Sequence, residues 1–278
     1  MPAVRRSEER KFYNALCKFF KRIIDDTKTG GGILKGISPA DRMFMQSDQT
    51  KGFLNNLVSK MVQTVRKFSA NSWREAAHKG SRGAEIHRIL RNEMQGPVGA
   101  KVWQIVEENS AYIRTLPEEW AKYASQYAYR ETLKGKRPEE VEKELREIIP
   151  KHMVKNLKCI ARTECAKANA AIVEARAEAC GIQAYIWRSV KDERSRDSHK
   201  RMDGILVFYN DPPNPEALFG DKNPYGNYHA GNTFNCRCFQ EPVVDVDFLP
   251  DSIRVHDHGE IRTMSKKQII DKYGNIAG

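Results

Sequence analysis

The chain has 278 residues, 40% of them apolar and 30% charged, with 47 Lys and Arg against 36 Asp and Glu and a formal charge of +11. That length suffices for one large domain or two modest ones. No run of about 18 apolar residues occurs, which excludes a membrane-spanning helix, and the basic excess suits either lasting contact with a polyanion such as nucleic acid or a merely solvated basic surface. The N-terminal MPAVRRSEERKFYNALCKFF starts basic but lacks a signal-peptide core and cleavage site. A cytoplasm-like compartment is therefore expected, with Cys17, Cys159, Cys165, Cys180, Cys236 and Cys238 as thiols or metal ligands rather than disulfides.

Residues 7–26 carry Phe12, Leu16, Phe19, Phe20, Ile23 and Ile24 at helical spacing. The glycines of TKTGGGILKGISPADR end that helix. Residues 51–67 repeat the pattern, and two short helices, 82–95 and 99–113, flank the Gly96-Pro97 break. Helical signal resumes after Leu116-Pro117 and runs to about Leu133. A short helix starts at Pro138, where the missing N–H has no intrahelical partner to lose. Pro150 interrupts, and a long helix is expected over 151–179, with Val154, Leu157, Ile160, Ile172 and Ala175 near one face and Gly181 closing it at positive φ.

Beyond Gly181 the pattern changes. AYIWRSV (184–190) and ILVFY (205–209) read as strands, with a short helix over 192–204 between them, capped by Asp192 and Gly204. A Pro/Gly/Asn-rich loop spans 210–235, and CRCFQEPVV is a third short strand. The last 30 or so residues read as polar, with one helix in SKKQIIDKYG.

On a helix, Asp192, Arg196, His199 and Asp203 stand at offsets of 0, 4, 7 and 11, and so share a face that is either solvated or closes a polar site. Cys236 and Cys238, at i and i+2 of a strand, point the same way. With His199, and His229 or Asp203 as a fourth ligand, they could form a tetrahedral structural zinc site clipping a loop that has little apolar area of its own. The alternative is a pair of ordinary strand thiols, with His199 bonded to a carboxylate. Cys159, Cys165 and Cys180 lie among alanines and read as packing residues. Arg162 and Glu164, two apart on the long helix, do not face each other. Arg162 could pair with a carboxylate of 192–203, or the helix face could simply be solvated.

In this order the pieces resemble the Mu F-like minor head proteins of tailed bacteriophages. The resemblance rests on I-A-R-T-E (160–164) with alanines after it, Gly181, a strand with Trp187, D-E-R-S-R-D-S-H (192–199), M-D-G (202–204), Pro212-Pro213 and N-C-R-C (235–238), and covers about residues 110–243. Family members commonly show P-x-C-R-C, where this chain has T-F-N-C-R-C. The resemblance marks Arg162, Glu164, Trp187, Asp192, Arg194, Arg196, His199, Asp203 and Gly204 as the structural motif. It implies a protein of few copies inside the capsid, associated with the portal vertex and neighbouring the portal protein and the major capsid or scaffold protein. It also implies non-specific contact with phage DNA in packaging or ejection, and residence in the host cytoplasm during assembly.

The expected fold is α+β and predominantly helical, an extended N-terminal helical region followed by a small β-containing C-terminal module. Its expected parts are a helical region over 1–108, the Mu F-like head-morphogenesis domain over 109–243 and a tail over 244–278. A structural rather than enzymatic role is expected from the resemblance, the basic charge and the lack of a convincing nucleophile–base pair together. The rival is a metal-dependent enzyme acting on nucleic acid through the Asp/His/Cys cluster. About 35 residues follow the CxC strand, too few for an independent toxin domain.

Overall fold

A computed structural model describes residues 4–80, 82–222 and 224–278. The fold is α+β and predominantly helical. In chain order the helices are α1 (Arg6–Phe19), α2 (Lys21–Lys28), α3 (Pro39–Gln46), α4 (Asp48–Lys79), α5 (Gly83–Asn92), α6 (Pro97–Leu133) and α7 (Pro138–Ala179). Then follow β1 (Ala184–Arg188), α8 (Asp197–Met202), β2 (Leu206–Phe208), α9 (Pro215–Leu218), β3 (Phe239–Pro242), β4 (Ser252–Asp257), β5 (Glu260–Ser265) and α10 (Lys266–Tyr273).

The chain forms two compact units, and neither is continuous in sequence. One comprises 1–5, 62–104 and 162–278, the other 6–61 and 105–161. This partition differs from the expected 1–108, 109–243 and 244–278. The long helices α4, α6 and α7 each contribute residues to both units, so the divisions at 61/62, 104/105 and 161/162 fall inside helices, where no Pro- or Gly-rich linker marks them.

In the 6–61 and 105–161 unit, Leu16, Phe20, Leu54, Val58, Ile113, Leu116, Trp120, Ile149, Met153 and Leu157 are buried. Phe20 meets Trp120 edge-on at 5.0 Å, and the Trp120 indole donates to Asn156 at 3.0 Å. These contacts explain why two expected breaks are absent. Pro117 and Pro150 lie inside α6 and α7, although each removes an i→i−4 bond at a cost of about 3 kcal/mol. Ile113, Leu116 and Trp120 flank the first, and Ile149 and Met153 the second, all at most 1% exposed. Packing on both sides of each proline keeps the helix continuous through it. The long helix accordingly starts at Pro138 rather than 151, and Val154, expected on its buried face, is 36% exposed while Met153 is covered.

In the other unit, among the described residues, a five-stranded sheet runs in the order β3-β1-β2-β4-β5. Only β2 and β4 pair in parallel, and the other neighbours are antiparallel. Side chains alternate across a strand, and both faces are covered. Ala184, Leu206, Phe208, Ile253 and Val255 pack with Val243, Leu249, Ile269 of α10 and Ile276. Tyr185, Trp187 and Val207 face Met202, Ile205, Tyr228, Ala230, Cys236 and Cys238. A third cluster joins Trp73 and Ala77 of α4, Ile86 and Leu90 of α5, and Val173 and Ala177 of α7.

The segment 244–278 is therefore no polar tail. It supplies two strands, and the expected terminal helix as α10, capped by reciprocal Ser265 and Gln268 bonds. At the end of α7, Gly181 takes φ +69° as expected, and the Ile182 N–H reaches back to the Ala177 carbonyl at 2.8 Å.

Arg176 is the largest departure from an apolar interior. Its side chain is fully buried on α7. It donates to Glu93 twice, at 2.8 and 3.0 Å, to the Ser69 hydroxyl at 2.8 Å and to the Arg66 carbonyl at 3.1 Å.

Candidate functional site

The expected helix over 192–204 is reduced to α8. Ahead of it the chain turns at Lys191, whose φ is +53°, and Asp192 accepts from the Arg194 N–H at 3.2 Å and the Ser195 hydroxyl at 2.9 Å. Such a side-chain-closed turn competes directly with helix formation, so Asp192, Arg196, His199 and Asp203 do not share one helical face. They reach different partners instead. Asp192 pairs with Arg237, the residue between the two cysteines, at 2.5 Å. Arg196 donates to the Phe234 carbonyl at 2.9 Å. Asp203 accepts from the Ser189 N–H at 2.8 Å and pairs with Lys191 at 2.7 Å. Burial raises the Asp203 carboxyl, but the Lys191 and Ser189 bonds outweigh it and hold the group below its ordinary value.

His199 is the member turned inward. Its Nδ1 stands 3.4 Å from the sulfur of Cys236 and 3.4 Å from that of Cys238. The three ligand atoms lie within 4.8 Å of one another, and all three residues are buried. The cysteines occupy the turn just before β3, on the sheet face formed by Tyr185 and Trp187. One thiol hydrogen-bonds the other, so Cys236 is held well below the ordinary thiol value and Cys238 pushed well above it. The Trp187 ring meets His199 edge-on at 5.7 Å.

The far side of the imidazole is also occupied. His199 Nε2 lies 2.8 Å from the Tyr228 hydroxyl and 3.3 Å from Glu216. The Tyr228 hydroxyl donates to the Glu216 carboxylate at 2.7 Å, and burial together with that carboxylate pushes Tyr228 far up, so it stays a phenol. A carboxylate only accepts, so the tyrosine hydroxyl directs its proton at Glu216. Nε2 then carries the imidazole proton toward the Tyr228 oxygen, and the lone pair of Nδ1 faces the two sulfurs. Neither Glu216 nor Tyr228 stood out in the sequence. Both are in the polar loop between β2 and β3, and a lone Glu after Pro215 carries no signal there.

His229 and Asp203, the expected fourth ligands, are not brought to the cluster. His229 Nδ1 is 3.2 Å from the Tyr185 hydroxyl, and its ring also bonds the Tyr209 backbone. Burial lowers His229, keeping it neutral as the acceptor of that hydroxyl.

Arg162 does tie α7 to this region. The bond runs to the Asn235 side chain at 2.6 Å, where a carboxylate of 192–203 was expected. The Asn235 N–H in turn donates to Thr163 at 3.0 Å. Asn235 takes φ +57°, a conformation asparagine tolerates better than most residues. It forms the turn into the cysteines where family members have proline one residue earlier. Glu164 is buried one turn before Lys167, and Arg194 is exposed. Gly204 takes φ +80° and donates to the Trp187 carbonyl at 2.9 Å. Of the packing cysteines, Cys165 and Cys180 are buried and Cys159 is half-buried.

Residues 126–241 match the family model described as Phage Mu protein F like protein. A protein of Haemophilus influenzae, described as an uncharacterized protein, is 29% identical over 214 residues, 77% of this chain and 42% of its own length. The chain thus spans less than half of that curated relative. No solved structure matches. No helix among the described residues is long and apolar enough to cross a membrane. The matched segment takes in the end of α6, all of α7, strands β1 and β2, β3 up to Glu241, and the His199, Cys236 and Cys238 cluster, and over it the chain is similar to the Phage Mu protein F like family.

Proposed function

We propose that this chain is a minor structural protein of a tailed-phage head, acting in head morphogenesis at the portal vertex inside the capsid. Its neighbours are the portal protein and the major capsid or scaffold protein, and it contacts packaged DNA without reading its sequence. The family match over 126–241 carries this reading. The charge of +11 supports the DNA contact, because lysines and arginines against phosphates gain by counterion release with no need for base recognition. The burial of the cluster supports a structural role over nucleic-acid hydrolysis. His199, Cys236 and Cys238 are 3%, 2% and 6% exposed, which leaves no opening for a phosphodiester strand to reach them.

Mass spectrometry of purified particles from a phage encoding the chain tests the reading. The chain is expected in DNA-filled heads and in procapsids, at few copies relative to the major capsid protein. Its absence from both overturns the assignment.

A further inference from the structure

We infer that His199 Nδ1, Cys236 Sγ and Cys238 Sγ hold one thiophilic divalent metal ion, zinc by its chemistry, and that the ion fastens the loop between β2 and β3 to the sheet. The inference rests on the donor geometry and is independent of the head-protein reading.

Zinc at about 2.3 Å from sulfur and about 2.05 Å from nitrogen, in tetrahedral geometry, places S and N about 3.5 Å apart. Both S···N separations here are 3.4 Å. Two thiolates and an imidazole select zinc over magnesium or calcium, which take oxygen ligands. Among the described residues the group has three members, so a solvent oxygen would complete the tetrahedron.

The surroundings are those of a prepared ligand. Metal-binding histidines characteristically donate their second N–H to an oxygen that fixes the tautomer. Here Tyr228, backed by Glu216, does so at 2.8 Å and leaves the Nδ1 lone pair facing the sulfurs. Glu216 and Tyr228 lie in the middle of the loop, Cys236 and Cys238 end it, and His199 comes from α8 outside it. One ion would therefore secure the loop at its end through the sulfurs and at its middle through the imidazole and its two oxygen partners.

The test uses the full chain, purified with reduced thiols and no chelator, then reconstituted with zinc and separately with cobalt(II). One metal per chain is expected, with thiolate-to-cobalt charge transfer and the strong visible bands of tetrahedral cobalt. Both are expected to disappear in Cys236→Ser and Cys238→Ser and to persist in Cys180→Ser. Tyr228→Phe should keep the cobalt spectrum while weakening affinity about 10–100-fold. Removing metal with a chelator should speed proteolysis within residues 209–238 selectively. Reduced wild-type chain that takes up no zinc and shows no cobalt spectrum overturns the site, whether or not the serine variants fold. Stoichiometric binding that survives loss of both cysteines overturns the ligand assignment. Cleavage of 209–238 at the same rate with and without metal overturns its role in the loop.

Discussion

Replacing Glu93 with Gln keeps the shape of the side chain but removes the charge that neutralises Arg176. The two side chains are 2% and 0% exposed, and burial pulls the guanidinium down from its ordinary value, against the opposing pull of Glu93. Arginine does not give up its proton in proteins, so an unpaired guanidinium would stay charged and the penalty would fall on folding. Breaking a buried pair from one side costs about 3–5 kcal/mol. The Ser69 and Arg66 acceptors at 2.8 and 3.1 Å remain and favour the lower end. At about 2–4 °C per kcal/mol for a protein of this size, the thermal midpoint should fall by roughly 6–20 °C. Circular dichroism measures it, and tryptophan fluorescence, to which Trp73 of the neighbouring apolar cluster contributes, follows the same unfolding. Replacing both partners, Arg176→Met with Glu93→Leu, should recover part of the loss, since no buried charge is then stranded on α7, while Arg66, which also pairs with Glu93 at 2.5 Å, still loses its carboxylate. A fall of less than about 2 °C in Glu93→Gln would refute the reasoning, because it would mean the guanidinium finds water in solution.

Two further substitutions probe the sheet unit. Gly231 takes φ +86°, and a Cβ there would stand 3.0 Å from the Cys238 carbonyl and 3.4 Å from both the Ala166 carbonyl and the Ala170 side chain. Gly231→Ala should therefore cost about 1–3 kcal/mol by denaturant titration, strain and crowding together. Gly204→Ala, at φ +80° with open space around it, should cost only the backbone part, about 1–2 kcal/mol; equal losses would remove crowding from the account. Asp257 accepts from Lys272 at 2.7 Å and Tyr273 at 2.8 Å, and these bonds hold its carboxyl below the ordinary 3.8. A depressed carboxyl adds stability above its unfolded value and loses it as pH falls through the folded one. The midpoint gap between wild type and Asp257→Asn should thus be full at neutral pH and close as the pH drops beneath 3.8; a gap that widens in acid contradicts the pairing.

The helices were legible wherever one stripe of apolar residues faced a core, since burial and periodicity are then the same fact. The apolar spacing of α1, α4 and α7 marked them, Gly181 marked the end of α7, and Pro138 marked the start of what was expected as a separate short helix and is the first turn of α7. The prolines at 117 and 150 misled because a local cost of about 3 kcal/mol is decided by tertiary burial, which the local pattern does not carry. In β4 the signal was present and short, with Ile253 and Val255 buried on alternate positions. In β5 it was nearly absent, because that edge strand buries no residue fully. The parallel β2–β4 pairing joins segments almost fifty residues apart, and no local spacing records it. Arg176 was in principle visible, standing one turn beyond Ile172 on the buried stripe of α7.

The site was legible as far as residue type and spacing go, although the expected strand begins only at Phe239, so the two cysteines lie just ahead of it rather than on it. Two thiols at i and i+2 with a nearby histidine describe a donor set wherever the histidine comes from, and His199, Cys236 and Cys238 do meet. What spacing could not supply was the other side of the imidazole. The loop was expected to be held down by little except a clip. Yet Tyr228, Ala230, Cys236 and Cys238 are part of a buried apolar cluster, with Leu218 and Phe219 packed against it. Apolar contact of this kind is non-directional and leaves the loop several arrangements of similar burial. Glu216, Tyr228 and His199 form a chain of directional bonds, with Tyr228 on both Glu216 oxygens at 2.7 Å and His199 on Tyr228 at 2.8 Å, and that directionality selects among the arrangements. Burial therefore accounts for the loop lying on the sheet. The polar chain, ending at a lone pair between two sulfurs, accounts for the order in which its residues lie there.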